Sequence, residues 1–166
     1  DLAGNIGPIS PALNVTIDTL PPQRTSLDLA DVSDSGRDDK DNITNDLRTT
    51  LPGFLRFRVT SDPGTTVVIK DGNTIVDGPF LMPVAGFIFR DIATAFFPTD
   101  RDYLLSAEAF DVACNVSDQS EELDVQLDRT PPLAPTVRLH PSSDSGIGNV
   151  PTTLVDRITN DTTPEF

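Results

Sequence analysis

The sequence has one cysteine, one histidine, one tyrosine and no tryptophan. Because Cys114 has no second cysteine to pair with, the disulfides that stabilise many small secreted domains are excluded within this chain. A Ser-His-Asp triad would depend on His140 alone, and a zinc site of paired cysteines and histidines has no residues to build it. We therefore expect that the chain is not an enzyme.

Basic residues are also scarce, with 12 lysines and arginines against 26 acidic residues and a net charge of −14. This balance excludes nucleic acid as a partner, since phosphate binding requires a clustered basic surface. It also disfavours an anionic membrane surface, and no apolar run is long enough to insert into a bilayer. A chain this acidic can instead concentrate cations.

An internal repeat is the strongest pattern in the sequence. Residues 1–22 (DLAGNIGPISPALNVTIDTLPP) recur as residues 111–132 (DVACNVSDQSEELDVQLDRTPP) at a constant offset of 110. Residues 33–36 (SDSG) recur at 143–146 at the same offset, whereas residues 43–46 (ITND) recur at 158–161, so five residues are inserted between these two motifs. A period of this length indicates an array of whole domains.

The repeat predicts three segments. Residues 1–17 would be the C-terminal strand of a preceding repeat, residues 18–127 a complete repeat, and residues 128–166 the truncated N-terminal part of a following one. Pro-Pro pairs at 21–22 and 131–132 favour stiff, extended connections between them. His140 falls opposite Ala30 in this alignment, which argues further against a catalytic role.

Short alternating runs separated by turn residues predict strands rather than helices between residues 23 and 127. The predicted strands are 26–30, 53–60, 65–70, a weaker one at 73–77, 86–92, 103–110 and 121–127. About seven short strands indicate an all-β, antiparallel, immunoglobulin-like β-sandwich, repeated in tandem. Tyr103, at the start of the penultimate strand, is expected to form a tyrosine corner.

The chain resembles the bacterial Ig-like tandem repeats of giant surface adhesins, including RTX-like adhesins. The resemblance lies in the run from Tyr103 through Asp111 to Asn115, in the segment 123–132 that ends in Thr-Pro-Pro, and in the acidic segment 33–46. It implies a secreted or cell-surface protein whose repeats form a stalk that extends a binding tip from the cell. Such repeats are expected to contact neighbouring repeats and to bind calcium near their junctions.

Acidic and amide side chains are concentrated in segment 31–46 (DVSDSGRDDKDNITND), and calcium prefers such oxygen ligands. Alternate loops of a sandwich lie at opposite poles, so this segment is expected to approach the linker at Asp128. The turn 98–102 should reach the same pole, while Asp111 and Asn115 should approach the linker at Asp18. The candidate calcium ligands are therefore Asp34, Asp38, Asp39, Asp41, Asp128, Asp18, Asp111 and Asn115. The alternative is that these residues only shape turns.

Two other functions stay open. The chain could be a carbohydrate- or protein-binding sandwich module of a secreted protein, or an accessory domain of a secreted enzyme. A carbohydrate site needs exposed aromatic rings beside polar groups, and the absence of tryptophan together with a structural Tyr103 weakens that alternative. In the preferred interpretation, a host or cell-surface ligand is bound through other domains of the protein.

Overall fold

A computed structural model describes residues 2–45, 53–144, 157 and 159–166 of the chain. The contacts divide the chain into two units, Asp1–Thr130 and Pro131–Phe166. All the strands in the described ranges belong to the first unit. The three-segment division expected from the repeat stays a prediction.

The first unit is a sandwich of two sheets, which confirms the all-β fold. The three-stranded sheet has the order β1-β3-β6, and the five-stranded sheet has the order β2-β8-β7-β4-β5. All pairs are antiparallel except β2 with β8, which is parallel. The strands are β1 (Ser26–Leu29), β2 (Ile43–Thr44), β3 (Phe54–Thr60), β4 (Thr66–Asp71), β5 (Thr74–Leu81), β6 (Phe87–Ala93), β7 (Arg101–Phe110) and β8 (Leu123–Leu127).

The core lies between the sheets and follows the alternation of the strand sequences. In β3, Leu55, Phe57 and Val59 are buried and the residues between them face outwards. Phe57 packs on Phe97 with ring centroids 6.1 Å apart, and Phe97 meets Tyr103 edge to face at 5.0 Å. All three rings are fully buried. Phenylalanine and tyrosine thus fill the centre of a core that has no tryptophan.

The predicted tyrosine corner is confirmed. The Tyr103 hydroxyl donates a hydrogen bond of 2.8 Å to the Thr99 carbonyl and accepts one of 3.2 Å from the Thr99 N–H. The ring is buried while its hydroxyl is paired, as a buried phenol requires. This bond fixes the turn before β7, which also carries Asp100.

The sequence-based strands needed two corrections. β2 was missed because a strand of two residues carries no periodicity. β5 is longer than predicted, since it continues through Gly78 and Pro79, residues that usually mark the end of a strand. Gly78 has a φ of +101°, and a Cβ there would lie 2.6 Å from the Val67 carbonyl oxygen, so this irregular part of the β4–β5 pair requires glycine. Proline is tolerated because β5 is an edge strand.

An ion pair joins the two sheets where β5 and β6 form adjacent edges. Arg90 of β6 binds Asp77 of β5 through two hydrogen bonds of 2.6 and 2.9 Å. The Arg90 guanidinium also lies 4.5 Å from the centroid of the Phe80 ring. Hydrogen bonding to the Asp77 carboxylate raises the pKa of Arg90 above its ordinary value, so the guanidinium stays charged.

Residues 2–20 show how strongly a strand depends on its neighbour. Leu13, Val15 and Ile17 are the repeat equivalents of Leu123, Val125 and Leu127. The latter three are buried in β8 beside β7, whereas the former are 85%, 73% and 85% exposed, and no strand is assigned in residues 2–20. The role of residues 1–17 as the C-terminal strand of a preceding repeat stays a prediction.

The part of the chain that the structure describes includes one short 3-10 turn, Thr94–Phe96, before β7. In the described ranges, no helix has the length and apolar character needed to cross a membrane.

Candidate metal site

The acidic turn between β1 and β2 is shaped by backbone hydrogen bonds at its first residues. The N–H groups of Ser33 and Asp34 both donate to the Ala30 carbonyl, at 2.5 and 3.1 Å. The Ser33 hydroxyl accepts a bond of 2.8 Å from the Arg56 N–H in β3. These contacts fold the chain inwards at a sequence of Ser, Asp and Gly that favours turns. As a result, Asp34 is buried although it is a carboxylate.

The Asp34 carboxylate has one paired and one unpaired oxygen. Oδ2 accepts a hydrogen bond of 2.9 Å from the Asn42 N–H, across the turn. Oδ1 is buried and has no hydrogen-bond partner. The residue as a whole is only 4% exposed. A buried, unpaired carboxylate oxygen costs free energy unless a proton or a cation occupies it.

Burial raises the pKa of Asp34, while the hydrogen bond from the Asn42 backbone lowers it. The nearby carboxylates of Asp41 and Asp38 raise the pKa further. A contact between Asp34 and Asp41 can be a hydrogen bond only when one of them carries a proton; when both are ionised, Oδ1 has no donor. The turn therefore gathers negative charge that a cation would neutralise.

The turn does not use all its carboxylates in the same way. Asp41 Oδ1 accepts the Ile43 N–H at 3.0 Å and Asp38 Oδ1 accepts the Lys40 N–H at 3.2 Å, so each also shapes the local backbone. Asp39 lies elsewhere, in the wall of a cavity of about 330 Å³ that it shares with Asp31. Of the predicted ligands in this turn, Asp34, Asp38 and Asp41 are thus electrostatically coupled and Asp39 lies apart. Asp46, at the end of the acidic segment, is outside the described residues.

The structure places the acidic turn beside the linker that follows β8. The Asp128 N–H donates to the Thr44 carbonyl at 2.9 Å, next to the parallel pair of β2 and β8. The Asp128 carboxylate accepts the Thr130 N–H at 3.0 Å. Asp100 reaches the same linker: its carboxylate accepts the Arg129 N–H at 3.0 Å and the Thr130 hydroxyl at 2.8 Å. Bonds from the Arg129 and Thr130 side chains lower the pKa of Asp100.

A second acidic feature lies near Asp41. The turn 98–102, which ends at Asp102, was expected at this pole, whereas Glu122 and Asp124 were not named from the sequence. Asp41, Asp102, Glu122 and Asp124 line one open cavity of about 380 Å³. Asp41 lies in the turn before β2, Asp102 in β7 and Asp124 in β8, and Glu122 directly precedes β8. Strands β7 and β8 are adjacent in the five-stranded sheet. Sequence alternation places Asp102 and Asp124 on the outer face, so this signal was available in the strand pattern. The cavity adds negative charge next to the turn.

The linker at Asp18, before β1, is held by the turn that runs from Asp111 to Asn115. The Asn115 amide donates to the Asp18 carbonyl oxygen at 3.2 Å and to the Asp111 carboxylate at 2.8 Å. The Asn115 N–H also bonds to Asp111, at 2.9 Å. The side-chain bond from Asn115 lowers the pKa of Asp111. The Asp18 carboxylate itself accepts the Leu20 N–H, at 3.1 Å. These three predicted residues are therefore adjacent, with the contact to Asp18 made through its backbone.

Cys114 is exposed and lies at the tip of the turn after β7. Its equivalent in the repeat is Gly4. Both residues have positive φ, 66° for Cys114 and 81° for Gly4, so both turns adopt the left-handed conformation there. Cysteine is strained in that conformation, whereas glycine is not.

The acidic turn has a counterpart in the second unit. The N–H groups of Ser143 and Asp144 both donate to the His140 carbonyl, at 2.9 and 3.1 Å. The Ser143 hydroxyl accepts the Glu165 N–H at 3.1 Å, as Ser33 does from Arg56. Asp144 is 6% exposed, and its Oδ1 also has no hydrogen-bond partner. Asp144 was not among the predicted ligands, although the repeated SDSG motif marks it.

The donor set suits a hard cation. Carboxylate, amide and carbonyl oxygens are the ligands of calcium, and the unpaired Oδ1 of Asp34 is a buried position that a cation would satisfy. Among the described residues, no three acidic, histidine or cysteine side chains are placed to hold one metal ion. Backbone carbonyls, amide oxygens or water would therefore have to complete the shell of an ion bound at Asp34 and Asp41.

A search of curated proteins found no match. Among solved structures, the chain is similar to the PKD domain of an M14-like peptidase from Thermoplasmatales archaeon SCGC AB-540-F20, with 12% identity and a TM-score of 0.42; the match covers 66% of this chain and 98% of that one. The family model of the bacterial Ig-like domain matches residues 21–129, more than half of the chain. The chain therefore belongs to the bacterial Ig-like domain family.

Proposed function

We propose that this chain is a structural repeat of an extracellular adhesin stalk, in which calcium at the domain junctions makes the stalk rigid. Membership of the bacterial Ig-like family supports a surface-protein module. The carbohydrate- or protein-binding alternative concerns a different part of the domain.

The observation that carries the proposal is the unpaired Oδ1 of Asp34, buried in an acidic turn whose β2 strand is bonded to the outgoing linker. A cation bound at this turn would hold β2 in place, and β2 contacts Asp128 directly. Asp100 ties Arg129 and Thr130 to the same pole. Calcium would thus act on a linker that already has a defined attachment to the sandwich.

The second support is that each linker is bonded to its pole. Asn115 bonds the backbone at Asp18, and Asp100 bonds the backbone at Arg129. Such contacts reduce the conformations available to the linkers, and proline pairs at 21–22 and 131–132 reduce them further. A tandem array with linkers of this kind would transmit an orientation from one domain to the next.

A paired spin-label measurement tests this proposal. The labels would be placed at the native Cys114, in the first unit, and at a His140→Cys substitution in the second; both native side chains are exposed. We expect a narrow distance distribution with calcium and a broad one with chelator, because a cation that binds only the ordered arrangement stabilises it.

A control pair, Cys114 with Thr60→Cys, reports within the sandwich and should not respond to calcium. An inter-unit distribution that is equally broad with and without calcium would contradict the proposed stiffening. The carboxylates would then be turn-forming residues only.

A further inference from the structure

The outer face of the three-stranded sheet carries exposed aromatic rings. Phe87 and Phe89 of β6 are 40% and 50% exposed, and their rings meet edge to face with centroids 6.3 Å apart. Arg58, opposite Phe89 in the β3–β6 register, places its guanidinium 5.3 Å from the Phe87 centroid. Tryptophan and tyrosine were the only aromatic platforms expected from the sequence, so these phenylalanines were overlooked.

A cavity of about 470 Å³ lies on this face. Asp28, Asp31, Arg56, Arg58 and Phe89 contribute to its walls, so neighbouring strands β1, β3 and β6 and the turn after β1 all take part. The volume falls in the range of small-ligand sites, about 300–1,000 Å³. We call this cavity the aromatic groove.

The polar groups of the aromatic groove include both donors and acceptors. Within the described residues, the Arg58 guanidinium has no carboxylate at ion-pair distance and the Asp28 carboxylate has no hydrogen bond. Arg56 is held in place by two bonds to Asp91, of 2.7 and 2.9 Å. A guanidinium presents several N–H donors in a fixed plane, while an ionised carboxylate only accepts. A ligand with many hydroxyl groups, each both donor and acceptor, matches this combination.

We propose that the aromatic groove binds a neutral oligosaccharide. The apolar C–H face of a pyranose ring would lie against Phe89, while its hydroxyls accept from Arg58 and donate to Asp28. Aromatic side chains suit such contacts because they offer a large apolar surface at low conformational cost. The aromatic groove is separate from the acidic turn, so this proposal does not depend on calcium or on the stalk function.

The charges of the groove and of the chain favour a neutral sugar over an acidic polysaccharide, a second copy of the chain or a protein partner. An acidic polysaccharide would meet Asp28 and Asp31 in the groove wall, on a chain of net charge −14. A second copy of the chain carries the same charge and would be repelled. A protein partner is also disfavoured, since the centres of protein interfaces are depleted of charged residues, whereas here charges alternate with the rings.

The test is a glycan array followed by calorimetry with purified protein. Neutral and uronic-acid-containing oligosaccharides would be compared on the array, and the best neutral ligand titrated into the wild type and three variants. We expect Phe89→Ala and Arg58→Gln each to weaken binding about tenfold, equivalent to about 1.4 kcal/mol. Phe54→Ala is the matched control, because Phe54 is similarly exposed, at 42%, on the same sheet face but outside the groove. Its affinity should be unchanged.

Each other outcome overturns the proposal. These are the absence of neutral-glycan binding, preferential binding of the acidic oligosaccharides, equal affinity in Phe89→Ala and wild type, or a protein that self-associates through Phe89. Thermal unfolding of each variant checks that it is folded. If Phe89→Ala does not fold, Arg58→Gln still tests the proposal.

Discussion

Replacing Asp34 by asparagine is expected to stabilise the domain in chelator and to destabilise it in calcium. Without a cation, the buried Oδ1 of ionised Asp34 has no partner and lies near Asp41 and Asp38. An asparagine can still accept the Asn42 N–H while its amide donates to Asp41. One net hydrogen bond in place of an unpaired carboxylate oxygen is worth about 0.5–1.5 kcal/mol.

With calcium the sign reverses, because the variant loses a ligand that binds the folded state. At a free calcium concentration of about 100 times the dissociation constant, the wild type would gain about 2.7 kcal/mol that the variant does not. In a domain of this size this corresponds to a shift of roughly 10–20 °C in Tm, taking about 4–8 °C per kcal/mol. The variant is therefore expected to be the more stable protein in chelator and the less stable one in calcium.

The pH dependence follows from the direction of the pKa shift. Burial raises the pKa of Asp34 above its unfolded value, so the protonated form is favoured in the folded domain. In chelator, the stability that this group contributes is fully present below its unfolded pKa and is lost as the pH rises through its folded pKa. Protons and calcium compete for the same oxygen, so the calcium-dependent increase in Tm should shrink on acidification.

Differential scanning calorimetry of wild type and Asp34→Asn, each with excess calcium and with chelator, measures the change in Tm that the substitution causes in each buffer. Asp118→Asn is the matched control, since it makes the same change at an exposed aspartate between β7 and β8. Its Tm should follow the wild type in both buffers. An Asp34→Asn variant that keeps the full calcium response would contradict a site at this turn.

Replacing Phe57 by alanine is expected to cost about 3–5 kcal/mol of unfolding free energy, the usual cost of removing a buried phenyl group. The ring is fully buried, and it packs on Phe97, which in turn contacts Tyr103. The loss is a large share of the roughly 5–15 kcal/mol that stabilises a typical domain. The cavity would lie beside Phe97, which packs between Phe57 and Tyr103.

Urea denaturation monitored by circular dichroism gives this value. Phe54→Ala, three residues away in the same strand and facing outwards, should change stability far less, by about 0.5 kcal/mol. Equal losses in the two variants would mean that Phe57 is not part of the central core.

Local patterns predicted much of the fold because each strand repeats its pattern over several residues. The alternation predicted β3, in which Leu55, Phe57 and Val59 are buried, and the position of Tyr103 predicted the corner. β2 could not be found in this way, since its two residues are defined by pairing with β8. Leu13, Val15 and Ile17 make the same point: their pattern is that of β8, but without a neighbouring strand they stay exposed.

The candidate metal site was predictable in composition but not in detail. The density of aspartates identified the turn, and the alternation of loops placed it near Asp128. The sequence could not show which carboxylate is buried, because the burial of Asp34 depends on the bond between Ser33 and Arg56 of β3, 23 residues away in the chain. It also gave Asp39 the same weight as Asp41, although the two side chains line different cavities.

A crystal structure of the protein grown with calcium would test the central claim most directly, through the anomalous scattering of the ion. The account predicts a calcium peak at about 2.3–2.6 Å from Asp34 Oδ1, the usual calcium–oxygen distance. A well-ordered structure at saturating calcium in which the Asp34 carboxylate binds no ion would contradict it.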